Sequence, residues 1–268
     1  MKPLSSSRDE EWSQARVLLT DIDDTLTVKG RVPARVFAAM ESLRAAGVLV
    51  IPVTGRPAGW CDLIARQWPV DAVVGENGAL WFRMDPAKGH IRRHYADSAD
   101  TRARNRTRLQ AIAAEIGATV PGAFPAADQA YRETDLAIDI CEDVKPLAPS
   151  DVERVLSIFS RHGATAKVSS IHVNGWFGTY DKLTMTRELL RDEFGLDTEA
   201  CDAAAVFIGD SPNDAPMFRA FSRSVGVANL QDFRNSSPHL PRWITHAPRA
   251  DGFVELAGRL LSARTLVR

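Results

Sequence analysis

Three apolar runs near the start of the chain each end abruptly in polar or glycine-rich residues. Val17-Leu18-Leu19-Thr20 leads into Asp21-Ile22-Asp23-Asp24-Thr25-Leu26-Thr27. Residues 48–53 lead into Thr54-Gly55-Arg56-Pro57, and Ala72-Val73-Val74 leads into Gly75-Glu76-Asn77-Gly78. Short unbroken apolar runs of this kind mark strands buried on both faces, as in a parallel sheet. Between the first two, Val36, Phe37, Met40 and Leu43 fall at helical spacing over 33–46, and Gly47 follows as a C-cap. Strand, helix, strand, helix, strand predicts an α/β fold built on a doubly wound, Rossmann-like parallel sheet. Such sheets place their sites beyond the carboxyl ends of the strands, where all three polar clusters fall.

The pattern changes from about residue 83. A hairpin around Lys88-Gly89 is expected within 83–100, then a helix over 101–116 with Leu109, Ile112 and Ile116 on one face. Residues 136–140 alternate like a half-buried strand, 150–161 read as a second amphipathic helix, and 166–173 as one strand. This α+β segment reads as an insertion. The parallel pattern resumes near Asp181, with a helix over 183–194 and a strong strand over 203–208 that ends in Gly209-Asp210-Ser211-Pro212-Asn213-Asp214. Strands at 224–228 and 243–245 and a closing helix over 253–261 complete it. The expected organisation is a mobile tail over 1–16, a core over 17–83 and 178–268, and an inserted α+β cap over 84–177. The tail reading rests on Ser5-Ser6-Ser7 and mixed charges.

Composition narrows the function. The 268 residues carry 33 basic and 34 acidic side chains, a formal net charge of −1, without the basic excess that a nucleic-acid or membrane-surface binder needs. No run reaches the roughly 18 apolar residues of a membrane span. Residues 1–16 have no apolar core and do not read as a secretory signal. Cys61, Cys141 and Cys201 are odd in number and far apart, so inert free thiols in a reducing cytoplasm are expected.

The polar clusters then acquire chemistry. Asp21 and Asp23 are two apart and share one face of an extended strand. Three acids within four positions repel one another unless a cation or nearby donors hold them; alone, the cluster fits an Asp-rich turn capping the next helix equally well. Asp21, Asp23 and Asp210 offer hard oxygen ligands that suit Mg²⁺. Thr54 and Ser211 offer hydroxyls, Gly55 lets the backbone approach an anion, and Lys182 supplies a point charge. Donors, a cation and a metal around one carboxylate make a site for phosphoryl transfer. A carboxylate nucleophile there gives an aspartyl-phosphate and divides hydrolysis into two easier steps.

With these motifs in this order, the chain resembles the haloacid dehalogenase superfamily of phosphatases. The resemblance is to the subgroup with an inserted α+β cap, which includes Cof-type, sugar and mannosyl-3-phosphoglycerate phosphatase-like enzymes. Asp21 to Thr25 matches the first motif, Val53 to Pro57 the second, Asp181-Lys182-Leu183 the lysine motif and Gly209 to Asp214 the fourth. Gly75 to Ala79 resembles the Asn-Gly turn before the cap, and Asp251-Gly252-Phe253 a C-terminal signature. The resemblance implies that Asp21 is nucleophile and metal ligand, and that Asp23 is general acid, then base, and binds metal through its backbone carbonyl. It implies that Thr54 and Lys182 hold the phosphoryl oxygens, that Asp210 binds Mg²⁺ directly, and that Asp214 orients Lys182 or the metal's waters. Thr25, Gly55, Arg56, Ser211 and Asn213 would shape the site or contact the phosphoryl group. Two departures stand out: Asp24 replaces a glycine common in close relatives, and the 174–181 loop is longer and more aromatic than the shortest versions.

Specificity is expected from the cap. Asn77, His172, Asn174 and Trp176 are candidate substrate contacts, with Arg132, Glu133 and Asp135 beside them. Residues 84–177 carry 12 basic and 12 acidic residues, so Arg102, Arg104, Arg106 and Arg108 read as a solvated helix face. The expected protein is a cytoplasmic, Mg²⁺-dependent phosphatase of a small phosphorylated metabolite, a sugar or sugar-acid phosphate. It would be a monomer or small homo-oligomer with no nucleic-acid or membrane partner. The alternatives are a phosphotransferase or phosphomutase of the same superfamily and a non-catalytic binding module.

Overall fold

The computed structural model describes residues 1–85, 87–235 and 237–265. Pro86 of the expected cap, and Ser236 and residues 266–268 of the expected core, lie outside the described residues. The chain begins β1 (Lys2–Pro3), β2 (Val17–Thr20), α1 (Ala34–Ala45), β3 (Leu49–Pro52), α2 (Ala58–Gln67), β4 (Val73–Gly75), β5 (Leu80–Asp85) and β6 (His90–Tyr95). It continues α3 (Ala99–Thr119), β7 (Phe124–Pro125), β8 (Leu136–Asp139), α4 (Pro149–Arg161), β9 (Thr165–Val168) and β10 (His172–Trp176). It closes with α5 (Lys182–Phe194), α6 (Thr198–Ala204), β11 (Ala205–Gly209), α7 (Ala215–Ala220), β12 (Ser224–Gly226), β13 (Trp243–Ile244) and α8 (Arg249–Thr265).

The core sheet has the order β1-β13-β12-β11-β2-β3, and every pairing in it is parallel. Strand alternation sends successive side chains to opposite layers. Leu18 of β2 packs with Val36, Met40 and Leu43 of α1, Ile64 of α2 and Phe253 of α8. Its neighbours Val17 and Leu19 pack with Met185 and Leu189 of α5 and Phe218 of α7. Helices therefore cover both faces, which is why these strands read as unbroken apolar runs. The doubly wound α/β expectation is met.

A second sheet, β7-β8-β10-β9, is antiparallel. One face carries Leu136, Ile138 and Val173 against Leu109, Ile112 and Ile116 of α3 and Val155, Ile158 and Phe159 of α4. Gly175 is small for a packing reason, since a Cβ there would run into the Phe159 ring. The opposite face carries Asp139, His172 and Asn174, all buried, and it turns toward the core. This is the cap.

Three expectations need correction. Residues 1–16 are not a mobile tail: β1 pairs with β13, and Leu4 and Trp12 are buried in the core. Two apolar anchors suffice, with Trp12 Nε1 donating to Ser7 Oγ at 2.9 Å. The boundary at 83/84 falls inside β5, because the β5–β6 hairpin pairs with β4 and so extends the core. The single strand over 166–173 is two: Ser169 Oγ accepts the His172 N–H at 3.0 Å and turns the chain between β9 and β10.

Candidate active site

The carboxyl end of β2 delivers Asp21, held in register by its own N–H, which donates to Ile208 O of the adjacent β11 at 2.9 Å. β11 ends one residue before Asp210, and the following turn brings back Asp214. Lys182 opens α5, capped by Asp181, whose carboxylate accepts the Thr184 N–H at 2.8 Å. Its ammonium lies 2.7 Å from Asp21 Oδ1 and 2.8 Å from Asp214 Oδ1. Asp214 Oδ2 also accepts the backbone N–H groups of Asp210 and Ser211, at 3.2 and 3.4 Å. Thr25 Oγ1 donates to Asp210 Oδ1 at 3.3 Å. The other oxygen, Asp210 Oδ2, is buried without a partner among the described residues.

Three carboxylates thus face one ammonium. Burial, then Asp214 and Asp23, push Asp21 up to about 7 against the pull of Lys182. Burial and the Asp21 and Asp214 carboxylates hold Asp210 well above the usual range. Burial works to lower the Lys182 ammonium, but Asp21 and Asp214 outweigh it and hold it above its ordinary value. Carboxylate oxygens of Asp21, Asp210 and Asp214 lie within 4.8 Å of one another. An orphaned buried oxygen in an acidic cluster fits a hard divalent cation held by Asp21 and Asp210. Asp214, bound to Lys182 and two N–H groups, already has its partners.

The end of β3 brings Thr54 and Arg56. Thr54 Oγ1 accepts the Arg56 N–H at 3.0 Å, and the Thr54 N–H reaches Val74 O at 2.9 Å, which ties the loop to β4. The Arg56 guanidinium grips Asp23, with Nε 2.9 Å from Oδ2 and Nη2 2.8 Å from Oδ1. Its far side crosses to the cap, where Nη2 donates to Glu142 Oε1 at 2.6 Å and Nη1 to Asp128 Oδ2 at 3.3 Å. It stacks over Trp60, 4.3 Å from the ring centre.

The cap closes a cavity of roughly 20 Å³ over Asp21, Asp23, Gly55 and Ser211, room for about one water. His172 and Asn174 line it from β10, with Ser170 from the preceding turn. His172 Nε2 stands 2.9 Å from Glu142 Oε2, and Asn174 Nδ2 donates to Asp135 Oδ2 at 3.1 Å. Asn213 lines the cavity and accepts from Ser211 Oγ at 2.6 Å. Asn77 sits behind Gly55, where a Cβ would come within 3.1 Å of the Asn77 amide. Trp176 departs from the expectation of substrate contact. It lies further along β10 over the hinge, covered by Ala79 and stacked on Tyr180 at 6.0 Å.

Sequence reasoning missed Glu76 and Glu142, which lock cap to core together with Arg132, a residue expected beside the substrate. Glu76 Oε1 accepts the N–H of Ala58 at 2.8 Å and of Glu133 at 2.9 Å, and Oε2 accepts the N–H and hydroxyl of Thr134. Arg132 is buried, donates to Gly55 O at 2.8 Å, and is held by Asp128 and Asp135 at 3.0 Å each. Glu142 stands on a turn that Asp139 caps, its Oδ1 accepting the Cys141 and Glu142 N–H groups at 2.9 and 2.7 Å. Asp24 also finds a place: its φ is +54°, a region open to glycine and tolerated by Asp, and its carboxylate meets Arg249 Nε at 2.8 Å. Arg102 and Arg108 lie over the rings of Tyr95 and Phe177, at 3.8 and 3.4 Å, outside the cavity.

Residues 18–104, which hold the first two motifs and the turn into the cap, match the haloacid dehalogenase-like hydrolase family. No curated protein sequence matches this chain. Solved structures match it along nearly its whole length and share its fold. A HAD/COF-like hydrolase from Plasmodium vivax is 19% identical, covering 97% of this chain and 100% of its own at a TM-score of 0.68. The sucrose-phosphatase from Synechocystis is 18% identical, covering 92% and 98% at 0.63. The C-terminal domain of the C. albicans trehalose-6-phosphate phosphatase is 12% identical, covering 95% of each chain at 0.71.

Proposed function

We propose that this protein is a Mg²⁺-dependent phosphatase that works through an aspartyl-phosphate on a small phosphorylated metabolite, a sugar or sugar-acid phosphate. The observation that carries the reading is Asp21 beside Lys182, with Asp210 Oδ2 orphaned next to it. Asp21 and Asp210, with the backbone carbonyl of Asp23, would hold Mg²⁺, which when bound supplies charge against the phosphoryl oxygens. Lys182 fixes one oxygen of Asp21, and the other attacks phosphorus as the bond to the leaving oxygen breaks. Thr54 and Lys182 hold the phosphoryl oxygens, and Asp23 gives the leaving oxygen its proton. Asp23 then takes a proton from the water that hydrolyses the acyl phosphate.

Arg56 constrains this scheme. Both Asp23 oxygens are taken up by the guanidinium, so Asp23 can reach a leaving oxygen only when Arg56 loosens. A phosphoryl group entering beside Gly55 would compete for that guanidinium. Entry itself needs motion, since roughly 20 Å³ does not hold a sugar phosphate and ligand pockets run to about 300 Å³ or more. The cap must swing away and the Arg56–Glu142 contact must break. The sugar class draws support from the polar cap face of His172 and Asn174 and from fold neighbours named for sucrose phosphate and trehalose 6-phosphate.

The test is phosphate release from a panel of phosphorylated sugars and sugar acids with Mg²⁺ and no acceptor. Turnover on members of the panel, lost on chelation and abolished in Asp21→Asn with the fold intact, is expected. Turnover that survives chelation, or substantial activity in Asp21→Asn, would overturn the reading. Transfer to an added hydroxyl without release into water would make the protein a phosphotransferase.

A further inference from the structure

Beside the catalytic cavity, and separated from it by Asn213, lies a much larger cleft of about 730 Å³. It runs between cap strand β9 and core helices α5 and α7. Its floor is apolar, with Val168, Leu183 and Pro216. Its charged lining is cationic, with Lys167 from the cap and Arg187 and Arg219 from the core beside the imidazole of His239 and the amide of Asn213, and no carboxylate among the described lining residues. In a chain of net charge −1, this gathering of one sign is local and not a consequence of overall basicity.

The cations are incompletely compensated. Lys167 is half-buried and its ammonium has no hydrogen bond or ion pair among the described residues. Burial pulls it below its ordinary pKa. Arg187 gives Nη2 to Asp202 at 2.7 Å, but its Nε is buried without a partner among the described residues. Arg219 is exposed and has no hydrogen bond or ion pair among the described residues. Partly desolvated cations around an apolar floor match a ligand with a carbon body and several anionic groups.

We propose that this cleft binds a small organic polyanion, its carboxylate or phosphate groups held by Lys167, Arg187, Arg219 and His239 and its carbon body on the apolar floor. Because Lys167 stands on the cap and the two arginines on the core, the bound anion bridges the two and holds the cap closed. Two sources share this chemistry: a separate polyanion, or the far anionic group of a substrate whose phosphoryl end lies at Asp21. The second rests on the phosphatase reading; the first does not.

Citrate is the probe, titrated by calorimetry into the metal-free full-length protein. Wild type should bind it, with affinity that falls as salt rises. Lys167→Gln/Arg219→Gln, shown folded by circular dichroism, should bind roughly tenfold more weakly, as the loss of two charge contacts implies. No binding to wild type, or equal binding to the folded variant, overturns the proposal. Hydrolysis assays at fixed free Mg²⁺ separate the sources. Citrate that competes with a hexose bisphosphate but not with p-nitrophenyl phosphate marks the substrate's far end. Citrate that changes kcat on both marks a separate ligand. Citrate binding without hydrolysis of any ester sinks the phosphatase reading alone, and hydrolysis without citrate binding sinks this one alone.

Discussion

On the core wall of the candidate active site, Asp21 and Asp214 share the ammonium of Lys182, and Asp210 Oδ2 beside them has no partner among the described residues. On the cap side, acids also outnumber cations, yet each acid has a donor. Asp23 and Glu142 are bound by Arg56, Asp128 by Arg56 and Arg132, and Asp135 by Arg132 and Asn174. Number of charges does not distinguish the two walls; directional satisfaction does. A satisfied network holds parts together, while an unsatisfied one stores a demand for something not in the chain, which the proposed function fills with a cation and a phosphoryl group. Stability is given up at the core wall for chemistry, and the cap wall spends its hydrogen bonds on closure.

The comparison breaks most visibly at Lys182. Lys182→Ala leaves two buried carboxylates without their cation, and removing one partner of a buried pair costs about 3–5 kcal/mol of stability. The same change removes a positive group from the proposed phosphoryl site, which should lower kcat on the order of 10²- to 10³-fold. Urea unfolding and steady-state kinetics on one preparation check both. A loss in kcat with unchanged stability would mean that the core wall is not short of positive charge.

Asp210→Asn should act in the opposite sense on stability. The amide keeps an acceptor for Thr25 Oγ1 and puts an N–H₂ where Oδ2 has no partner, while removing a carboxylate that repels Asp21 and Asp214. The metal-free variant should be more stable than metal-free wild type by about 1–2 kcal/mol, and a chain of this size gains about 2–4 °C in Tm for each kcal/mol. Mg²⁺ should raise the wild-type Tm and leave that of Asp210→Asn unchanged. A destabilised variant, or one that Mg²⁺ still stabilises, would remove Asp210 from the metal site.

The two walls also differed in how far the sequence exposed them. Asp21, Thr54, Lys182 and Asp210 stand where apolar runs stop or a helix starts, so periodicity alone placed them at one sheet edge. Glu142 and Thr134 carry no such mark. Each matters through a partner 86 or 58 residues away, Arg56 for the one and Glu76 for the other, and a contact of that range leaves no local pattern. The split between β9 and β10 was legible in principle, since Ser169-Ser170 interrupts the apolar run and Ser169 Oγ makes the turn. Trp12 misled because one aromatic among polar residues has no periodicity, yet it is fully buried. The positive φ at Asp24 explains the glycine of relatives but shows only in the folded chain.

The smallest effect is also the one that sets the two walls against each other, through the sign of their pH dependence. Asp21 is pushed up to about 7 by burial and Asp210 is raised well above its usual range, so the folded metal-free protein binds more protons there than the unfolded chain. Stability from this wall should fall as pH rises from the ordinary Asp range, near 4, through 7, and Mg²⁺ should flatten that slope. Glu142 is the reverse: burial raises it, but His172 and Arg56 prevail and bring it down to about 2. Its contribution is complete above the ordinary Glu value and is lost as pH falls from there toward 2. Part-exposure holds that contribution below about 1 kcal/mol. Glu142→Gln should remove the acid-side loss and leave the neutral-side slope in place. It should also speed proteolysis of the 141–148 loop as closure weakens. If Glu142→Gln shifted the neutral-side slope instead, the two walls would be one electrostatic unit, and the division between chemistry and closure would fail.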